Sequence, residues 1–235
     1  MTAFFNQELT YIKPVSMNCR ESTALLVVDM QYHDASPDHG FTLALEKVKP
    51  GSMRYYIDRL ENQVVPNTAR LLEHFRRARM PVVYLVLGSA YQDYRDLAPR
   101  FRDWLRAFEH DSGIQDIFWE GNPAFAIRKE LAPSPTDVVI RKTTFSAFNS
   151  SDFGEYLRYS RMTNLVITGV TTNACIESTA RDAADRGYGC ILVEDGTADY
   201  DRQAELATLQ SFYFNFGRVG STDEILKAID AGAEV

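Results

Sequence analysis

The sequence predicts an α/β protein with a mainly parallel sheet, on three observations. Short apolar runs of strand length recur along the chain, and segments with apolar residues at helical spacing lie between them. The first run, TALLVVD, goes straight from five apolar residues to the carboxylate of Asp29. Such a run fits a strand covered by helices on both faces rather than one with a wet side.

The strand runs are Thr23 to Asp29, Pro81 to Leu87, Asp137 to Ile140, Asn164 to Thr168 and Gly189 to Val193. Met53 to Arg79 carries Ile57, Leu60, Val64, Leu71, Leu72 and Phe75 at helical spacing, with Pro66 marking a break or a fresh start. Asp152 to Tyr159, Ala174 to Arg186, Arg202 to Phe212 and Thr222 to Ala231 read as further helices. Strand-helix alternation implies right-handed βαβ units, with ligands at the carboxyl ends of the strands. From Gly88 to Ala132 the chain is charged and aromatic, with Trp104, Phe108, Phe118 and Trp119. It reads as a long excursion over the carboxyl edge, its rings either shaping a pocket or burying a subunit interface.

At 235 residues the chain is long enough for one well-buried core and short for two, so a single domain over 1–235 is expected, with 1–22 as an N-terminal extension. A net charge of −7 argues against nucleic acid. No run nears the roughly 18 apolar residues of a membrane span, and Asn6, Glu8 and Lys13 interrupt any signal-like core, so a cytoplasmic protein is expected. The three cysteines, Cys19, Cys175 and Cys190, have neither disulfide-framework nor metal-finger spacing, which turns attention to a single reactive thiol.

Three residues fall where the strand-end rule puts a site: Asp29 closing the first run, Lys142 beyond the third and Cys175 after the fourth. Each alone has a plain reading as a loop cap, a solvated lysine or a small core residue. Their convergence is the clue. Cys175 opens a helix after GVTTNA, where the positive helix end and a nearby ammonium such as Lys142 are expected to lower the thiol pKa. Successive backbone N–H groups at that turn are placed to bind an oxyanion.

LLVVDMQ around Asp29, RKTTFSAF around Lys142 and TGVTTNACIESTARDAADRGY around Cys175 resemble, in order and spacing, the three motifs of the isochorismatase-like cysteine hydrolases. The resemblance runs from about Thr23 onward. It implies a Rossmann-like three-layer αβα sandwich with a six-stranded sheet, an Asp29, Lys142 and Cys175 triad, and a cis peptide between Val170 and Thr171 that turns the amides of Ala174 and Cys175 toward an oxyanion. It also implies a homo-oligomer, commonly a dimer or tetramer, acting on a small molecule.

Members of that family that cleave the vinyl ether of isochorismate usually lack the cysteine, so Cys175 points to the amidase branch. The TTNACIESTARDA run resembles members acting on ureidoacrylate, biuret or N-carbamoylsarcosine. The implied reaction is hydrolysis of an amide, ureido or carbamoyl C–N bond through a thioester. An ether-cleaving isochorismatase and an inactive binding module remain as alternatives.

Family nicotinamidases hold a metal through an Asp-x-His pair, which this chain lacks. The cluster His33, Asp34, Asp38 and His39 has Zn²⁺ or Mn²⁺ donors but sits too near Asp29 for that pattern, so it reads as a solvated loop, with no metal and no cofactor. Gln31, Tyr32, Phe145, Phe148 and Asn173 are candidate substrate contacts. Gln31 and Asn173 are preferred because a small polar amide needs hydrogen-bond partners.

Overall fold

The computed structural model describes residues 11–235. The apolar runs form β1 (Thr23–Val28), β2 (Val82–Leu87), β3 (Val138–Lys142), β4 (Asn164–Val170), β5 (Gly189–Ala198) and β6 (Arg218–Gly220), in one parallel sheet of order β3-β2-β1-β4-β5-β6. β1 and β2 are buried along their whole length, as strands inside a two-sided sheet must be. β3, at the edge, alternates between half-buried and exposed positions until Lys142, which is buried.

The period of two along β1 sorts its side chains into two cores. Ala24, Leu26 and Val28 join one cluster with Phe153, Leu157, Ile176, Ala180 and Phe212. Leu25 and Val27 join the other, with Tyr56, Leu60, Leu72, Phe75 and Ile229. The helices divide accordingly. α5 (Phe153–Tyr159), α6 (Glu177–Asp185) and α7 (Arg202–Asn215) cover the first face, and α2 (Arg54–Arg59), α3 (Val65–Arg77) and α8 (Thr222–Ala231) the second. The three-layer αβα sandwich is therefore the observed architecture.

Pro66 does not break the helical stretch. Between α2 and α3 the residues Leu60–Val64 form a π-helical turn in which the Val65 N–H reaches back to the Leu60 carbonyl, and Pro66 falls in the first turn of α3. The wider turn absorbs a residue that has no N–H to donate. Two helices lie outside the helical segments read from the sequence, α1 (Gly40–Val48) and α4 (Pro99–Ser112). α4 carries Phe101, Trp104, Leu105 and Phe108 at helical spacing, but of these only Leu105 is buried.

The lead-in before β1 is partly built into the body. Val15 exchanges backbone hydrogen bonds with Val235, and the Met17 N–H donates to Ala233 O at 2.8 Å. Both side chains are buried. Of the expected extension over 1–22, the first ten residues lie outside the described ones. Among the described residues no helix is long and apolar enough to cross a membrane.

Candidate active site

The strand order reverses between β1 and β4, and the crevice above such a reversal is where an open α/β sheet receives ligands. Asp29 follows β1 in a left-handed conformation, φ +51°, its N–H donating to Leu85 O on β2 at 2.8 Å. A non-glycine residue held there is strained, a feature that concentrates at functional sites. Gly169 makes the crevice possible. At φ +121° a Cβ on it would stand 2.1 Å from the Val28 carbonyl oxygen. The peptide that follows, between Val170 and Thr171, is cis.

Lys142, the last residue of β3, and Cys175, in the π-helical turn Thr172–Ile176 that enters α6, complete the cluster. Lys142 Nζ donates to Asp29 Oδ2 at 2.8 Å and to Cys175 Sγ at 3.1 Å, with the Thr144 carbonyl oxygen at 3.4 Å as a third acceptor. Asp29 and Lys142 are fully buried and Cys175 is 4% exposed. The second carboxylate oxygen of Asp29 is buried without a hydrogen-bond partner. A dry acceptor of this kind is costly to leave unmade and is ready to take a proton.

Burial is the largest influence on all three groups. It raises the Asp29 pKa, and the neighbouring Asp34 carboxylate adds to this while Lys142 opposes it. For Lys142 burial works to lower the pKa, but the Asp29 charge and the hydrogen bonds to Asp29 and Cys175 outweigh it and raise the pKa above the ordinary value. Cys175 departs from the sequence expectation. Burial and then the Asp29 charge push its thiol well above the ordinary value, more than Lys142 lowers it. A buried group takes its neutral form unless a counter-charge compensates, and here the lysine is shared with a carboxylate.

At the turn before Cys175, the Ala174 N–H donates to Thr171 O at 3.2 Å, as does the Ile176 N–H. The Ala174 amide is thus occupied in this state by a long bond. The Asn173 N–H donates to Asp199 Oδ2 at 2.6 Å, and Asp199 is buried.

A cavity of about 600 Å³ opens over Cys175. Of the candidate contacts, Phe145 and Asn173 line it. Gln31 does not: its amide is spent bridging Phe125 O and the Leu87 N–H, both at 2.8 Å, so it ties a loop to β2. Tyr32 accepts from the Lys129 N–H at 3.1 Å and packs on His39. Phe148 packs on Phe153 beneath the Arg186 guanidinium. None of these three lines the cavity. Sequence reasoning missed Asp34, Phe41, Phe101 and Tyr200, which do line it. Phe101 sits in the aromatic excursion flagged by composition, whereas Phe41 and Tyr200 come from distant segments with no local signal.

The His33 to His39 stretch is the solvated loop expected only at Asp38 and His39, which are exposed, whereas His33 and Asp34 are buried. His33 is fully buried, with Nε2 3.2 Å from Leu87 O and Nδ1 3.4 Å from Asp34, and His39 pairs with Ser36. Among the described residues no three His, Cys, Asp or Glu side chains gather as metal ligands would.

Asp29, Lys142 and Cys175 all fall within residues 23–224, the span matched by the Isochorismatase domain, and the chain is a hydrolase of that family. Ureidoacrylate amidohydrolase RutB of Stutzerimonas stutzeri is 30% identical over 95% of this chain and 88% of its own. RutB of Azorhizobium caulinodans is also 30% identical, over 88% and 90%. Among solved structures, a cysteine hydrolase from Pseudomonas syringae pv. phaseolicola superposes with a TM-score of 0.77 at 25% identity, covering 97% of this chain and all of that one. N-carbamoylsarcosine amidase from Thermoplasma acidophilum gives 0.63 at 26% identity, covering 86% and 97%.

Proposed function

We propose that this protein hydrolyses the C–N bond of a small amide, ureido or carbamoyl compound through a thioester on Cys175. The observation that carries the reading is the single Lys142 ammonium lying between Asp29 Oδ2 and Cys175 Sγ in a buried crevice. Relatives named for ureidoacrylate and N-carbamoylsarcosine hydrolysis support the substrate class.

The raised thiol pKa sets the order of events. Cys175 rests as a thiol and gives its proton to Asp29, whose own proton affinity is raised by burial. Sulfur then adds to the carbonyl carbon, forming the C–S bond, and the negative charge on oxygen is met by backbone N–H groups at the turn. For this the Ala174 N–H leaves Thr171 O for the stronger, charged acceptor. The C–N bond breaks as Asp29 protonates the leaving nitrogen. A water, deprotonated by Asp29, hydrolyses the thioester, so one water is consumed and the thiol restored. Lys142 stays protonated throughout and offsets whichever neighbour is negative. The protein is further proposed to work in the cytoplasm as a homo-oligomer.

Release of ammonia by wild type and Cys175→Ala on a panel of ureido, carbamoyl and simple amides tests this reading. Release by wild type alone supports it. Silence on every amide, with isochorismate cleaved by both proteins, would instead assign the ether-cleaving reaction.

A further inference from the structure

The cavity over Cys175 is far more aromatic than a small polar amide requires. Phe41, Phe101, Trp104, Phe118, Phe145 and Tyr200 all line it. They form a connected set. Phe101 stacks on Trp104 with centroids 5.8 Å apart, meets Phe118 edge-on at 5.5 Å, and lies 5.2 Å from Phe145. Phe41 lies 5.3 Å from Trp104 and 5.4 Å from Tyr200. Most of the polar lining lies next to the cluster, with Asp34 near Asp29, Thr144 two residues from Lys142, and Thr171 and Asn173 just before Cys175, while Arg100 stands on the α4 wall.

The walls are also held in place. α4, which carries Phe101 and Trp104, follows a loop fixed by Asp96, which accepts from the Ser89 hydroxyl, from the Ala90 N–H at 3.0 Å and from Arg141 at 3.0 Å. Its far end is fixed by Glu109, which accepts from the Tyr94 hydroxyl at 2.6 Å and the Ile117 N–H at 2.8 Å. Rings set in advance lose little freedom on receiving a ligand, which is where affinity is usually lost.

A ureido acid with a short side chain would leave most of about 600 Å³ as water against aromatic faces. A flat apolar group would displace that water and meet the rings at the offset and edge geometries they favour. We infer that the substrate is an amide, ureido or carbamoyl compound bearing an aromatic or similarly bulky apolar group, held by Phe101, Trp104 and Phe145 while its C–N bond lies at Cys175. The inference rests on the amidohydrolase reading. Trp104 and Phe145 are 46% and 44% exposed, so a second copy of the chain is the competing occupant of the same rings.

The test compares kcat/KM for matched pairs, acetamide with phenylacetamide and N-carbamoylglycine with N-carbamoylphenylalanine, in wild type, Trp104→Ala, Phe101→Leu and Cys175→Ala. The expected result is a preference of at least about tenfold for the aryl member of a pair, since even one methylene in an apolar pocket is worth that much. The preference should appear mainly in KM and shrink in both ring variants. Cys175-dependent release that favours the small members overturns the inference and leaves the amidohydrolase reading intact. No Cys175-dependent release on any compound removes both. Equal loss on all substrates in Trp104→Ala, with a change in sedimentation, would make the rings a subunit contact and overturn the inference.

Discussion

The Asn173 N–H donates to Asp199 Oδ2 at 2.6 Å, which ties the turn before Cys175 to the end of β5. Asp199 is itself anchored, its N–H donating to Glu205 Oε2 at 3.2 Å, and Glu205 pairs with Arg59 at 2.9 Å. The chain of contacts fixes where Asn173 and, two residues on, Cys175 stand. Asp199→Ala is expected to lower kcat by about 10- to 100-fold through misplacement of the thiol, with KM nearly unchanged. Asp199→Asn keeps an acceptor oxygen and should recover most of the loss. Steady-state kinetics on any substrate that turns over would read the difference, and equal effects of the two variants would deny the positioning role.

The pH dependence has a definite sign. Asp29 must be ionised to take the Cys175 proton, and burial raises its pKa above the ordinary 3.8. The acid limb of kcat/KM should therefore lie at higher pH than for an exposed aspartate. Stability follows another group. Burial raises Glu205 from 4.5 to about 7, against the pull of Arg59. Between those values the folded chain holds a proton that the unfolded chain has released, so this contribution is present at low pH and is lost as pH rises through about 7. Tm measured against pH should show that fall in wild type and a flatter profile in Glu205→Gln. A wild-type slope of the opposite sign over that window would contradict the assignment.

Gly169 combines φ +121° with a Cβ position 2.1 Å from a backbone oxygen on β1. Neither strand can yield without breaking the β1–β4 ladder at the crevice. Gly169→Ala should cost about 4 kcal/mol or more in denaturant unfolding, the range reserved for strain or lost cores. A cost within 1 kcal/mol would mean that β4 has room there.

What the sequence made legible follows from periodicity. The largely apolar runs of β1, β2 and β4 announce a two-sided sheet, and the three strand-end residues announce its carboxyl edge. α4 is missed as a helix although Phe101, Trp104, Leu105 and Phe108 recur at helical spacing, because the charged and aromatic stretch around it reads as a whole as a loop excursion. Gln31 was misread for a different reason. A polar side chain beside a candidate acid suits a pocket and a loop anchor equally, and only its bonds to Phe125 and Leu87 decide. The thiol's direction of shift was misread because a helix end and a lysine are visible in sequence, whereas complete burial beside Asp29 is not. Phe41 meets Trp104 of α4, and Tyr200 meets Phe41, only through the fold.

Lys142 gives the sharpest separation of stability from chemistry. It is fully buried and donates to Asp29 Oδ2 at 2.8 Å. Lys142→Met removes the counter-charge and leaves Asp29 buried alone, a change that typically costs about 3–5 kcal/mol. Asp29→Asn in the same chain removes the stranded charge, so the double variant should regain most of that stability. Neither protein should turn over substrate, because one lacks the cation that offsets the reacting charges and the other lacks the base as well. Urea unfolding of wild type, both single variants and the double variant forms a cycle whose coupling term measures the pair. Recovery of fold without recovery of activity is the expected outcome. A double variant as unstable as Lys142→Met would show that the lysine's packing, not its charge, holds the crevice together.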